Sequence, residues 1–250
     1  MTQTPPFADQ IGLIEDRSAA FRSAVTGADL TAAVPGCPGW TVRDLATHLG
    51  NVHRFWAVAV AAGPAAERPS DAALGSREPS GDLLEWSAES TRRLVGALRT
   101  AGPGAGCWTW WEASGAPMTA GAVARHQVQE AAVHAWDAQS AAGEPEPIPA
   151  AAAVDAIPEF LEVGLGSLGP WPHRPARLAL SATDGPAWTV DLTPAGAEAH
   201  PAAAGEPVVT VRAAASDLLL FLFNRIPAEA VTVTGDASVL GELRSWTSGD

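Results

Sequence analysis

A segment with a proline at every second position divides this sequence into two parts with different patterns of apolar residues. Before residues 143–149 (GEPEPIP), apolar side chains recur every three or four positions, which is the spacing of amphipathic helices. After it, short runs of strand-forming residues alternate with turn residues. Alternating prolines stiffen a linker. We therefore expect two domains, residues 1–143 and 150–250.

The first part predicts an antiparallel four-helix bundle. Thr41 and Asp44 have the spacing of a capping box at the start of the second helix, and Asp82 can cap the third. The predicted helices span residues 8–25, 42–62, 82–98 and 118–142. We expect loops over 63–81, which is polar, and 101–117, which contains three tryptophans and should be ordered because exposing such side chains is costly.

The second part predicts a small α+β domain with a mostly antiparallel sheet. Runs of β-formers between turn residues indicate strands at 177–182, 187–192, 208–212 and 231–234. Helices are expected at about 151–165, 215–224 and 236–246. The fold class is thus a two-domain α+β protein.

The composition indicates a globular protein and excludes two kinds of partner. Hydrophobic residues make up 47% of the chain and charged residues 17%. The net charge of -13 argues against nucleic-acid and anionic-membrane partners. The apolar runs are too short to span a bilayer, and we see no signal peptide, so we expect a cytoplasmic location. Cys37 and Cys107 lack the spacing of a zinc ribbon or a disulfide framework.

Three residues of the predicted bundle can meet at one cation. Glu130 and His134 are four apart on the fourth helix, so their side chains leave one face about 40° apart. His48 shares a face of the second helix with apolar residues and should point inward. Two histidines and a carboxylate suit Zn²⁺, and also iron or nickel. By spacing alone, Glu130 and His134 could equally lie at the surface, and His48 could be a hydrogen-bonded core residue.

The sequences around these residues resemble a known family. Residues 37–49 (CPGWTVRDLATHL) and 130–137 (EAAVHAWD) are similar to two signatures of the mycothiol-dependent maleylpyruvate isomerase family. Residues 219–225 (LLFLFNR) and 233–236 (VTGD) resemble its C-terminal domain. The resemblance implies a DinB-like metal-binding bundle followed by a sterol-carrier-like domain. It also implies that His48, Glu130 and His134 bind the metal and that Arg225 is catalytic.

Further residues have two interpretations each. His126, one turn before Glu130, can contact substrate or support the site, or can lie at the surface. Asp137 can orient His134 or face solvent. His53 should point away from the metal, either to the surface or against a neighbouring helix. Arg225 can form a surface salt bridge or bind a carboxylate of substrate or thiol.

The resemblance implies a mycothiol-dependent enzyme, an isomerase or S-transferase, in which a zinc-bound thiolate attacks a small electrophile. Two other classes stay open. A non-catalytic protein could bind a small hydrophobic ligand, since Trp86, Trp136 and the tryptophans of 108–111 could line an apolar pocket, although they could equally be core. A metal-dependent hydrolase or cyclase would activate water instead of sulfur. The electrophile, the metal and the oligomeric state are left open.

Overall fold

The computed structural model describes residues 4–64, 67–201 and 205–248. The chain forms two compact units. The bundle unit comprises Pro5–Trp110 and Pro117–Ile148, and the sheet unit comprises Trp111–Ala116 and the chain from Pro149 onward. The structure confirms the two-domain α+β fold.

Four long helices build the bundle unit: α1 (Phe7–Val25), α2 (Val42–Ala62), α4 (Leu83–Ala101) and α5 (Ala120–Ala142). Helix α1 packs chiefly on α5, and α2 packs chiefly on α4. A one-turn helix, α3 (Asp71–Leu74), lies in the segment that we predicted to be a loop, and Ser70 caps it. The prediction of an uninterrupted loop there was wrong, because Ser70 supplies a cap of the kind that begins a helix.

Local signals fix where the long helices begin. Thr41 accepts a hydrogen bond from the backbone of Asp44 while the Asp44 side chain accepts one from Thr41, so the predicted capping box forms. Asp82 caps α4 through the backbone amides of Leu84 and Glu85. These bonds satisfy amide groups that have no partner in the first helical turn.

The interior of the bundle unit is closely packed. Large apolar side chains there are fully buried, among them Phe21, Leu45, Leu49 and Leu94. Gly50 lies against the ring of Trp86, and a Cβ atom at position 50 would collide with that ring. The missing side chain therefore lets α2 approach α4 closely, two residues after the predicted ligand His48.

The sheet unit contains five strands in the order β3-β2-β1-β4-β5. They are β1 (Ala176–Ala182), β2 (Ala187–Thr193), β3 (Gly196–Pro201), β4 (Val209–Ala213) and β5 (Thr232–Gly235). All neighbouring pairs are antiparallel except β1 and β4, which are parallel. We did not predict β3, because its sequence (GAEAHP) contains no β-branched or aromatic residue; it forms as an edge strand paired with β2.

Three helices accompany the sheet: α6 (Ala150–Glu159), α7 (Ala215–Leu222) and α8 (Ser238–Ser248). The predicted helix over 151–165 is α-helical only to Glu159 and continues as a π-helical turn, Phe160–Gly164. Pro158 lies at this transition, as expected for a residue without an amide hydrogen. Within the described residues, no helix combines the length and apolarity that crossing a membrane requires.

Candidate functional site

Helices α2 and α5 bring the three predicted ligand residues together inside the bundle unit. His48 Nε2 lies 3.0 Å from Glu130 Oε1, and His134 Nε2 lies 3.3 Å from the same oxygen. One donor atom from each residue falls within 4.8 Å of the others. The carboxylate thus lies between two imidazole nitrogens, at separations that one metal ion could bridge after small side-chain movements.

The cluster runs from the buried interior to a cavity. The side chain of His134 is 8% exposed, that of Glu130 is 20% exposed and that of His48 is 35% exposed. His48 and Glu130 line a cavity of about 730 Å³. A small molecule would therefore reach a cation held by these residues from the side of His48 and Glu130. His134 would bind the cation from the buried side.

Asp137 determines how the ring of His134 is oriented. Its carboxylate Oδ2 accepts a hydrogen bond of 2.9 Å from His134 Nδ1, so Nε2 faces Glu130. Asp137 is fully buried and also accepts a 3.4 Å hydrogen bond from Cys37 Sγ. Histidines that bind metals commonly donate their second ring nitrogen to a carboxylate in this way.

The charges of the cluster shift the pKa values of its members in opposite directions. Burial opposes protonation of His134, but the negative charge of Glu130 and the hydrogen bond to Asp137 outweigh it and raise the pKa of His134 well above 6.5. Burial also opposes ionisation of Glu130, yet the two histidines hold its pKa well below 4.5. The cluster therefore favours a positive charge between its carboxylates, which a proton or a metal cation can supply.

The donor set fits a divalent metal. Two neutral imidazoles and one carboxylate make a site of the kind used by zinc, and also by iron and nickel. Cys37, His134 and Asp137 form a second group of possible donors, but all three are buried. Neither Cys37 nor Asp137 lines the cavity. The group of His48, Glu130 and His134 is therefore the one that a small molecule can reach.

Aromatic side chains form much of the cavity wall. They come from α2 and from the tryptophan-rich loop: Phe55, Trp56, Trp108 and Trp110. His126 also lines this cavity and contacts Trp56 and Trp110 by ring edges, with centroids 6.0 and 5.7 Å away. The other tryptophans that we considered as pocket residues do not line it: Trp86, Trp111 and Trp136.

Sequence reasoning gave no role to Trp40, although it lies in the quoted segment 37–49. Its ring centroid is 4.8 Å from that of His48 and 6.4 Å from that of His134. Trp40 thus packs against both histidines. Trp40 lies 15 residues after the end of α1 and directly before the capping box, so no helical periodicity could have predicted this contact.

His53 contacts a neighbouring helix rather than the surface. Its ring is 1% exposed, and Nδ1 lies 3.3 Å from Thr91 Oγ1 of α4. Burial lowers its pKa to about 4, since a charged imidazole is poorly solvated there. His53 is therefore neutral at physiological pH and is not one of the ligand cluster.

Arg225 lies in the sheet unit, three residues after Leu222, the last residue of α7. It directly follows Asn224, whose φ of 57° is in the left-handed region. Its Nη1 donates a 2.9 Å hydrogen bond to the backbone oxygen of Phe223. This bond orients the guanidinium locally. The catalytic role implied by the sequence resemblance stays a prediction.

Two family models match consecutive parts of this chain, and both describe the same family. The family model described as the mycothiol maleylpyruvate isomerase N-terminal domain matches residues 11–139, and the model for the MDMPI C-terminal domain matches residues 149–242. No curated protein sequence matches the chain.

Two solved structures share the fold over nearly the whole length. A crystal structure of the mycothiol-dependent maleylpyruvate isomerase has a TM-score of 0.62 at 18% identity, and a histidine-to-alanine mutant has 0.60 at 19%. Each alignment covers 95% of this chain and 98% of the other. At such identities the likeness establishes the fold, whereas the family models cover most of the sequence. The chain therefore belongs to the mycothiol maleylpyruvate isomerase family.

Proposed function

We propose that this protein is a metal-dependent enzyme that uses mycothiol to isomerise an electron-poor cis-alkene. The observation that carries the proposal is the cluster of His48, Glu130 and His134 at the wall of a large cavity. Membership of the family supports the thiol and the reaction type. A cavity of about 730 Å³ is within the usual range for small-molecule sites.

His48, Glu130 and His134 would hold the metal, and Asp137 would keep Nε2 of His134 directed at it. A divalent cation such as Zn²⁺, when bound, favours the thiolate form of a thiol and fixes the position of its sulfur. His48 and Glu130 face the cavity, so a thiol entering it meets the accessible side of the cluster. The ring of Trp40 packs against the rings of both histidines.

The reaction conserves atoms and electrons. The thiolate sulfur forms a C–S bond to one alkene carbon while the π electrons move to the conjugated carbonyl oxygen. Rotation about the resulting C–C single bond follows. Reversal of the electron flow then breaks the C–S bond, expels the thiolate and restores the double bond in the trans form. With substrate bound against it, the aromatic wall would limit the access of water that could protonate the enolate and trap the thiol adduct.

Two residues have supporting roles in this proposal. Arg225 would bind a carboxylate through its bidentate guanidinium, as the family resemblance implies. His126, which lines the cavity, would contact substrate or thiol. We propose a cytoplasmic location, where mycothiol and metabolic electrophiles would both be available.

The direct test uses zinc-loaded protein, mycothiol and maleylpyruvate, the compound after which the related enzyme is named. We expect conversion to the trans isomer only when thiol is present, and loss of at least 100-fold of the rate in Glu130→Gln. Accumulation of a stable thiol adduct, seen by mass spectrometry, would indicate an S-transferase instead. Absence of thiol-dependent turnover for maleylpyruvate and other electron-poor alkenes would contradict the proposal.

The aromatic wall also favours a second candidate, a non-catalytic protein that binds a small hydrophobic ligand. Such a binding protein would bind an uncharged aromatic compound with the same affinity whether or not metal and thiol are present. Calorimetry on metal-free and zinc-loaded protein distinguishes this candidate, since an enzyme that needs both should bind its substrate more tightly when zinc is present. Turnover without thiol would instead indicate a metal-dependent hydrolase or cyclase, which activates water.

A further inference from the structure

Two arginines line the cavity from the segment between α2 and α4. Arg68 and Arg77 belong to the stretch that we predicted to be a polar loop, and neither was considered a site residue. The guanidinium carbon of Arg68 lies 5.1 Å from the ring centroid of Phe55. The backbone oxygen of Arg77 accepts a 2.9 Å hydrogen bond from Asn51 Nδ2. Both contacts attach the segment to α2.

These contacts lie on the face of α2 that carries the candidate ligand. His48, Asn51 and Phe55 follow one another at intervals of three and four residues, so their side chains leave one side of the helix. All three line the cavity. One side of α2 therefore carries three cavity residues in succession. They are the candidate ligand His48, then Asn51, whose amide binds the backbone of Arg77, and then Phe55, whose ring contacts Arg68.

The two arginines are available for a ligand. Neither forms an ion pair with a carboxylate among the residues that the structure describes, although the chain has 28 acidic residues and 15 basic ones. Arg92 and Arg99, on outer faces of the bundle, each lie within 3.0 Å of a glutamate oxygen. Glu130 is the one acidic residue lining the cavity in the described part, and both histidines already contact it.

The remainder of the wall favours a planar apolar group. Trp108 packs edge-on against Phe55, with ring centroids 5.7 Å apart, and Trp110 is 45% exposed. An exposed tryptophan beside a cavity offers a flat surface to an aromatic ligand. A guanidinium binds a carboxylate by paired, charge-assisted hydrogen bonds. The cavity therefore combines a cationic region, an aromatic wall and the candidate metal ligands.

We propose that Arg68 and Arg77 bind the carboxylate of an electrophilic substrate whose planar, apolar body lies against Trp108 and Trp110. The substrate class is thus an aryl or similarly apolar keto acid with a conjugated alkene. The identity of the alkene rests on the proposed function, whereas binding of the carboxylate does not. Arg68 and Arg77 determine specificity and take no part in the covalent steps.

Binding is measured first, by calorimetry on zinc-loaded protein with β-benzoylpropionate, a saturated keto acid that cannot react with thiol. We expect Arg68→Gln and Arg77→Gln each to weaken binding about tenfold, the size of one charge-assisted hydrogen bond. The methyl ester should bind the wild type and both variants alike. Arg43→Gln, which removes an exposed charge on α2 outside the cavity, is the matched control and should bind the acid as the wild type does.

Levulinate, which has a methyl group in place of the phenyl ring, tests the aromatic wall. It should bind at least tenfold more weakly than β-benzoylpropionate, because it buries far less apolar area. The proposal is overturned if acid and ester bind the wild type equally, or if both arginine variants bind the acid normally. Equal binding of levulinate and β-benzoylpropionate would overturn the assignment of an apolar body.

Kinetics with mycothiol and cis-β-benzoylacrylate then separate this inference from the proposed function. Each arginine variant should raise KM for the acid about tenfold and leave kcat, and the turnover of the methyl ester, unchanged. If the acid binds through the arginines but neither acid nor ester is isomerised, the proposed function fails and the anion site stands. If both are isomerised and the variants behave as wild type, the function stands and the anion site fails.

Discussion

The two units of this protein differ in what they bury. The bundle unit encloses polar and charged side chains, including His53, Gln127, His134 and Asp137, each at most 6% exposed. In the sheet unit, the buried polar side chains among the described residues are Glu159, Thr189 and Ser216. Burying polar groups costs free energy unless they find partners. Both ends of the Gln127 amide lack a hydrogen-bond partner in the described part.

Apart from the buried Glu159, charged side chains of the sheet unit such as Arg177 and Asp191 lie at its surface. Arg177 forms a bidentate pair with Asp191, at 2.6 and 2.7 Å, and both side chains are more than 20% exposed. The pair satisfies both charged groups at the surface, where solvent weakens the attraction between charges. Its interior is apolar, with Leu178, Leu180 and Val190 fully buried. The bundle unit thus buries polar groups at a cost in free energy, as a unit with an internal site would, whereas the interior of the sheet unit mainly serves packing.

The largest expected effect is a loss of stability in the sheet unit that leaves zinc binding by the bundle unit unchanged. Leu180 is fully buried on β1, and Leu180→Ala should lower the free energy of unfolding by about 2–5 kcal/mol because it leaves a cavity. Zinc content per folded chain should not change. Denaturant unfolding followed by tryptophan fluorescence and elemental analysis measure the two quantities. Loss of zinc together with stability would show that the units do not divide these roles.

Acid should weaken the protein through His53. The unfolded ring takes up a proton near pH 6.5, whereas the buried ring does so only near pH 4. Because the unfolded state binds more protons between these values, the contribution of His53 to stability is full above pH 6.5. It falls by on the order of 3 kcal/mol as the pH drops to 4.

His53→Gln should remove this part of the pH dependence. Denaturant unfolding of the two proteins between pH 7 and pH 4 gives the comparison. Other titrating groups, such as His134 and Glu130, are present in both proteins, so their effects largely cancel in the difference. Parallel stability curves for wild type and variant would contradict the account of His53.

A smaller effect is expected from the residue that orients His134. Asp137→Asn replaces a carboxylate by an amide that holds the Nδ1 proton less well, so we expect zinc affinity to fall by about 10–100-fold. Competition with a chromophoric chelator measures the affinity. Asp71→Asn, at an exposed position on α3, is the matched control. Unchanged zinc affinity in Asp137→Asn would show that the hydrogen bond does not position the ligand.

The smallest effect concerns the capping box. Thr41→Ala removes the cap of α2 and should lower the free energy of unfolding by about 1 kcal/mol. His48 lies two turns further along α2, so zinc affinity should change less than twofold. Thermal unfolding and the same chelator assay check both values. A large loss of zinc affinity would show that the cap also positions the ligand.

Much of the bundle unit could be predicted because its signals are local. The capping box at Thr41 and the cap at Asp82 identify helix starts within three residues of sequence. Helical periodicity places Glu130 and His134 on one face. Spacing allowed them to meet His48 but also allowed surface or core positions, because contacts between helices are not encoded in spacing. The family resemblance was needed to favour the cluster.

Features that depend on distant partners could not be predicted. Strand β3 exists because β2 offers its edge, not because its own residues prefer strands. Arg68 and Arg77 reach the cavity because Phe55 and Asn51 hold their loop, and nothing in the loop sequence indicates this. The burial of His53 depends in the same way on Thr91, which is 38 residues away.

The most direct test of the account is the zinc content of purified protein after zinc has been supplied, for the wild type, His134→Ala and His126→Ala. His126 lies two turns before His134 on α5 and lines the cavity without joining the ligand cluster. We predict one zinc per chain in the wild type and in His126→Ala, and none in His134→Ala. A wild type that stays free of metal, or a His134→Ala variant that retains it, would contradict the central claim.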